Sequence, residues 1–478
     1  MLFNSFKYIV FLPVLLLFYF MLPAKAKNGW LLVCSYFFYM SWNAIYGILL
    51  FACTGVSFLG AMAIQKTDCG ESKKRKLLLA VTLVLLFSVL VFYKYSNFML
   101  QNVFRALHLV GVHASVHLDI LLPVGISFFT FQAAGYVIDV YRNDIGAERN
   151  FFRYALFVSF FPQLVAGPIE RSRNLLRQFD SPKCFDFDRA KDGLFIMLWG
   201  YFLKMVLADR AAIFVNNAYA HPYGTEGMSL IFATFFFAFQ IYGDFFGYSL
   251  IAKGSARILG FDLMDNFKSP YCALNVQDFW RRWHISLSTW FRDYVYIPLG
   301  GSRCSNLRMS CNIIAVMALS GLWHGAGWHF IAWGLLHGVL QVVDRMTAGV
   351  QEKLPRMFRR LATFFWVCVG WCLFRAPSLR SALHSLKAMA GFVLKHRKIH
   401  DFYSMGLGWT ELKMLYLCIA LILAVDALND KGVYVRSYIQ KRSALTQMIV
   451  IAFCVVFIVA VGVWGGEYNA ADFIYFKF

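Results

Sequence analysis

Long runs without a single charged residue set the strongest limit on how this chain can fold. They cover Tyr8–Ala24, Gly29–Gln65, Leu77–Tyr93, Ile120–Ile138, Gly227–Gly243 and Ser443–Gly466. A bilayer core takes roughly 20 apolar residues per helix. Only helices and closed barrels satisfy the backbone there, and these runs lack the alternation of barrel strands. With 59% hydrophobic and only 15% charged residues, the chain carries more apolar surface than a soluble core absorbs. The expected fold is all-α and polytopic, one integral membrane domain over residues 1–478. It should hold about 10–12 membrane segments. The first run is read as a retained helix, because the next begins almost at once.

A net charge of +20 raises nucleic acid as a partner, but the basic residues are parked in loops. Lys73, Lys74, Arg75 and Lys76 form one cluster; Arg171, Arg173, Arg177, Lys183, Arg189 and Lys191 form another. This is the positive-inside pattern, with loops facing anionic lipid, so the expected partner is membrane lipid and not nucleic acid. The pattern puts Lys66–Lys76, Lys253–Arg308 and Asp430–Arg442 on the cytoplasmic side and Asn216–Gly227 outside. A last helix near Gln447–Trp464 then leaves residues 465–478 outside. Ser378–Glu411, with Arg380, Lys387, Lys395, Arg397 and Lys398, resists this alternation. The 11 cysteines are scattered and form neither a disulfide framework nor a zinc pattern.

Met309–Val343 contains no Asp, Glu, Lys or Arg, yet it holds Trp323–His324. A titratable ring deep in an apolar span is a functional-site hypothesis by default. Basic loops flank both ends of the stretch. It is therefore either a long tilted helix or a re-entrant hairpin broken near Gly325–Gly327, with His324 near mid-depth. A neutral imidazole there can take a proton from an alcohol and return it to a leaving group. The plainer reading is a packing histidine between helices.

A second histidine, His284, lies in FWRRWHISLSTWFRDYVYIPLGG (Phe279–Gly301). Helical spacing puts Trp283, Leu287, Trp290 and Tyr294 on one face, an amphipathic helix at the membrane interface that ends at Pro298 and Gly300–Gly301. Arg281, Arg282 and Arg292 would surround His284 with positive charge and suit the phosphates of a thioester donor. Trp323 joins them as a donor-binding candidate. The plainer reading is a helix anchored on lipid headgroups. His324, His329 and His337 are close in sequence. However, 324 and 329 do not share a helical face, no carboxylate joins them, and no metal is expected. Asp244, in QIYGDFFGYS (Gln240–Ser249), either orients a histidine, pairs with an arginine or caps its helix. The tail DFIYFKF (Asp472–Phe478) carries Tyr475, either an interface anchor or a hydroxyl able to receive an acyl group.

WRRWHISLSTWFRDYVYIPLGG (Trp280–Gly301) followed by SGLWHGAGWHFIAWGLLHG (Ser320–Gly338) resembles the membrane-bound O-acyltransferase family. The resemblance is to its bacterial branch that exports acetyl groups for alginate or peptidoglycan O-acetylation. GISFFTFQAAGYVIDVYR (Gly125–Arg142), FFPQLVAGPIER (Phe160–Arg171), QIYGDFFGYS and the tail match as well. The resemblance implies a ring of tilted and re-entrant helices around a central tunnel, in a bacterial inner membrane. It implies His324 as catalytic histidine and His284 as the second characteristic one. Acetyl-CoA is the implied donor, and a periplasmic acetyltransferase of the SGNH-hydrolase-like type the implied partner. Related D-alanylating systems use a separate peptide with a similar Phe/Tyr ending, whose tyrosine is proposed as an acyl relay. Tyr475 would be that relay here. The sequence departs from the branch where Leu250 replaces a second aspartate and Phe246 replaces a serine, which leaves a two-carboxylate role in question. A D-alanyl transferase of the teichoic-acid type and a non-enzymatic transporter or flippase are the alternatives.

Overall fold

The computed structural model describes residues 1–68, 70–112, 116–165, 167–395 and 402–464. Among the described residues every regular element is helical and there is no strand. Five of these helices are long and apolar enough to cross a membrane: Ala44–Lys66, Ser72–Leu109, Gly227–Ile258, Arg356–Arg375 and Ala444–Val461. Phe6–Met21 is apolar but shorter. The chain packs as two compact units.

The first unit takes Met1–Gly193 and Ala252–Met264. Its helices are fixed by hydrogen bonds that replace missing backbone partners. Phe151–Ser159 starts on Asn150, whose side chain accepts from the Phe152 and Arg153 N–H groups. The helix stops at Phe160, and the Phe161 N–H donates to Ser35 Oγ at 3.2 Å. That leaves the Phe157 carbonyl without its helical donor. The Gln132 and Gln163 side-chain amides take its place at 3.0 and 2.7 Å. Buried backbone acceptors must be satisfied in this way. Tyr154 donates to Ser57 at 2.8 Å, and the Tyr8 and Ser255 hydroxyls lie 2.6 Å apart.

The second unit takes Leu194–Ile251 and the described residues from Asp265 onward. Met309–Val343 resolves into the hairpin alternative: Asn306–His324 and Trp328–Met346 pack side by side across a break at residues 325–327. Glycines allow the close approach. A Cβ at Gly321 would run into the Phe330 carbonyl, and one at Gly334 into the Met317 carbonyl. Small residues at such a seam let backbones approach in an apolar medium, where packing supplies the attraction.

The block 278–301 corrects the expectation of one amphipathic interfacial helix. It forms Val276–Arg282, then Ile285–Phe291, then a π-helical turn Arg292–Tyr296. The break falls at Trp283–His284, and both side chains are buried rather than held at headgroups. Gly300 and Gly301, both with positive φ, do end the block. Part of the basic stretch that resisted the charge pattern is helix Leu379–Lys395. The final helix is Ala444–Val461. The tail with Tyr475 lies outside the described residues.

Candidate functional site

His324 is the last residue of its helix, because the chain turns extended at Gly325 (φ −165°) and Gly327 (φ −163°) before the next helix begins. The Phe330 ring lies over Gly325, where any Cβ would strike it. The imidazole is buried among rings: Trp323 at 5.0 Å between centroids, Trp333 at 5.1 Å and Phe374 at 5.3 Å, all in edge-on contact.

His284 reaches the same place from a strained turn. Its backbone is left-handed (φ 44°, ψ 53°). For a residue with a side chain this costs on the order of 1–3 kcal/mol and persists only where neighbours over-determine it. The neighbours here are a paired segment. The Lys268 N–H donates to the Arg282 carbonyl and the Ile285 N–H to the Asn266 carbonyl, each at 3.0 Å. Asn266 Oδ1 accepts from the Ser286 hydroxyl at 2.7 Å and from its N–H at 3.3 Å. Asn266 Nδ2 in turn donates to Ser249 at 3.3 Å. So held, the fully buried His284 ring meets Phe245 at 4.6 Å, Trp323 at 5.9 Å and His324 at 6.3 Å. The structure thus brings together His284, His324 and Trp323.

The other candidates fall elsewhere. Arg282 is engaged by Asp278 at 3.0 Å and Asp430 at 2.7 Å, and Asp430 also binds Arg360 at 2.8 Å. Arg281 and Arg292 are exposed, and Arg292 pairs with the adjacent Asp293 at 2.8 Å. The expected cationic surround of His284 is replaced by an aromatic one, because carboxylates hold Arg282 and its neighbours face outward.

Asp244 sits within Gly227–Ile258, so it is not a cap at the helix end. It pairs with Lys204 at 2.6 Å, and Lys204 also binds Asp209 at 2.8 Å; all three are buried. Lys204 lies in a π-helical run, Phe202–Ala208. Sequence reasoning passed over Lys204, although a lone lysine inside LFIMLWGYFLKMVLA is the same kind of signal as His324. It also passed over Asp426. This buried carboxylate accepts from Tyr242 at 3.0 Å and from Ser269 at 3.2 Å. Phe246, standing in the serine's place, stacks on Tyr242 at 5.2 Å with planes 3° apart. Among the described residues no group of three or more potential ligands is placed to hold a metal ion.

Two histidines from distant segments, packed in one aromatic nest, invite comparison with known proteins. The family model described as MBOAT, membrane-bound O-acyltransferase family, matches residues 142–383. A probable alginate O-acetylase of Azotobacter vinelandii is 39% identical over 389 residues, covering 80% of this chain and 76% of that protein.

The chain belongs to the membrane-bound O-acyltransferase family.

A peptidoglycan O-acetyltransferase of Helicobacter pylori is 38% identical over 427 residues, with 82% and 80% covered. A teichoic acid D-alanyltransferase of Bacillus subtilis is 28% identical over 271 residues, with 52% and 68% covered. This acyltransferase is accordingly an enzyme and a multi-pass membrane protein, and the transporter reading falls. Both histidines lie within the matched segment.

Proposed function

We propose that this acyltransferase moves acetyl groups from acetyl-CoA in the cytoplasm to a hydroxyl presented from the periplasmic side of a bacterial inner membrane, for O-acetylation of a polysaccharide. The observation that carries the reading is the 6.3 Å approach of His284 and His324 within a buried aromatic nest. The O-acetylating relatives also match over about four-fifths of the chain, against about half for the D-alanylating one.

In this reading His324 accepts the proton of the acceptor hydroxyl as the oxygen attacks the thioester carbonyl carbon. His284 donates a hydrogen bond to the carbonyl oxygen as charge builds there. The carbon–sulfur bond breaks, and the departing thiolate takes the proton back from His324. The products are an acetyl ester and free coenzyme A. The acceptor is the Tyr475 hydroxyl, acting as relay, or a hydroxyl on an SGNH-hydrolase-like periplasmic partner. That partner then sets which polysaccharide is modified. Access from both sides lets the acyl group cross without its donor, which accounts for a polytopic transferase.

The test is donor cleavage by the purified protein with its partner, using acetyl-CoA and, separately, a D-alanyl carrier-protein thioester. Cleavage of acetyl-CoA that disappears in His324→Ala is expected. Cleavage of the D-alanyl thioester alone would overturn the acetyl reading.

A further inference from the structure

The segment that carries His284 is tied to a helix end that the reaction above does not use. Two stretches, 266–269 and 282–285, run side by side, joined by the Lys268 and Ile285 N–H bonds. Each contains a left-handed residue with a side chain: Ser269 (φ 45°, ψ 60°) and His284 (φ 44°, ψ 53°). Such backbone is strained and persists only where its surroundings over-determine it. Asp426 and Asp430 lie one turn apart, on one face, at the end of the helix Trp409–Asp430. Asp426 accepts from the Ser269 hydroxyl at 3.2 Å and the Tyr242 hydroxyl at 3.0 Å. Asp430 binds Arg282 at 2.7 Å and Arg360 at 2.8 Å, and Arg360 also donates to the Cys272 carbonyl at 3.2 Å. One helix end therefore holds the first stretch at Ser269, and just beyond it at Cys272, and the second at Arg282.

Tyr242 extends this hold to the residue next to His284. Its ring meets Phe267 at 5.7 Å and Trp283 at 5.9 Å, and Phe267 meets Trp283 edge-on at 4.9 Å. Tyr242 and Trp283 are both fully buried. Burying a carboxylate is costlier than burying a leucine in its place, unless its hydrogen bonds are made. Among the described residues Asp426 receives hydrogen bonds from two neutral hydroxyls and from no cation. Those bonds have a direction that apolar packing lacks, and they fix where Ser269 and Tyr242 lie.

We propose that Asp426 is a positioning residue for acyl transfer: with Asp430 one turn later, it clamps both stretches to the end of Trp409–Asp430 and so sets where the His284 ring stands against His324. The path from carboxylate to ring is short. One branch runs from Asp426 through Tyr242 to Trp283, by a hydrogen bond and a ring contact. The other runs from Asp426 to Ser269, and from the neighbouring Lys268 N–H across to the Arg282 carbonyl. Arg282 and Trp283 are the two residues before His284. The hydrogen bonds of Asp426 reach neither histidine, so its effect on the reaction passes through this hold. The proposal rests on the reading of His284 as a group that acts in the transition state.

The experiment measures acetyl-CoA cleavage by the purified protein with its proposed partner, for Asp426→Leu, Asp426→Asn, His284→Ala and the double variant of Asp426→Leu with His284→Ala. Asp426→Leu should lower kcat about tenfold and leave KM for acetyl-CoA within about twofold. Asp426→Asn should return most of the rate, because Oδ1 alone lies 3.2 Å from both hydroxyls. In the His284→Ala background the leucine should cost no more than about a further twofold, since residues that act through one another are not additive. A general loosening of the fold would instead lower the rate by the same factor in both backgrounds, and that result overturns the proposal. So would a wild-type kcat in Asp426→Leu. Where the leucine variant does not accumulate, Ser269→Ala, which deletes one of the two hydroxyls, takes its place in the same cycle with the same pattern expected. A His284→Ala protein with wild-type transfer would take down the role given to His284 in the reaction. A slow His284→Ala protein with an additive cycle would remove the clamp alone.

Discussion

Buried polar groups are handled differently in two regions of this acyltransferase. In the residues before Gly193 several are tied to fixed partners: Tyr154 to Ser57, and the Gln132 and Gln163 amide N–H groups to one backbone carbonyl. Around the histidines the immediate neighbours are rings, with Trp323 and Phe245 against His284 and Trp333 and Phe374 against His324. Satisfied hydrogen bonds give a rigid scaffold. Rings provide shape and a low dielectric around the two imidazoles. On the proposed reading, the difference separates the part that holds its fold from the part that reacts.

Four substitutions test this contrast, in order of expected effect. His324→Ala should lower acetyl transfer about 10²–10⁴-fold, the usual worth of a general base, with protein abundance in membranes unchanged. An equal loss of abundance would make the imidazole a packing group. Lys204→Met should strip Asp244 and Asp209 of their buried lysine and destabilise the protein by about 3–5 kcal/mol, read as a fall in Tm in detergent. Wild-type Tm in that variant would mean the charges are not buried as a set. Asn266→Ala removes the side-chain hold on the turn at His284 while keeping the backbone bonds. Transfer should drop by about tenfold through kcat, with KM for acetyl-CoA steady, since a misplaced group acts on the transition state. A change confined to KM would place His284 in donor binding instead.

The smallest effect is a pH dependence in the first region. Burial pushes the Glu170 carboxyl from 4.5 up to about 7, against opposing hydrogen bonds from the Met264 N–H and Asn174. The folded protein therefore holds this proton more tightly than the unfolded chain. The stabilisation it gives is complete below pH 4.5 and is lost as the pH rises through about 7. Glu170→Gln should flatten that part of the Tm-versus-pH curve and leave the transfer rate alone. A wild-type curve that stays flat between those limits would contradict the assignment.

Much of this was legible in the chain itself. Charge-free runs announced a helical membrane protein, and the Gly325–Gly327 break left only a long helix or a hairpin. His324 and His284 stood out as polar rings in apolar or aromatic surroundings. The turn at His284 was not legible, because the periodicity of Trp283, Leu287, Trp290 and Tyr294 fits a continuous helix. What breaks it is a partner segment at Asn266–Lys268, and pairing between segments leaves no mark in local spacing. The arginines are a related case. Arg282 is held by Asp430, far along the chain, and local spacing does not show that pairing. Lys204 and Asp426 are lone charges in apolar runs that the sequence reading passed over, and each gains meaning only beside Asp244 or Tyr242.

The central claim is most directly tested by peptide mass spectrometry on the purified protein after incubation with isotopically labelled acetyl-CoA, comparing wild type, His324→Ala and Tyr475→Phe, with and without the proposed periplasmic partner. The account predicts a labelled acetyl group on the C-terminal peptide or on the partner, absent in His324→Ala under both conditions. Label that persists in His324→Ala would contradict it.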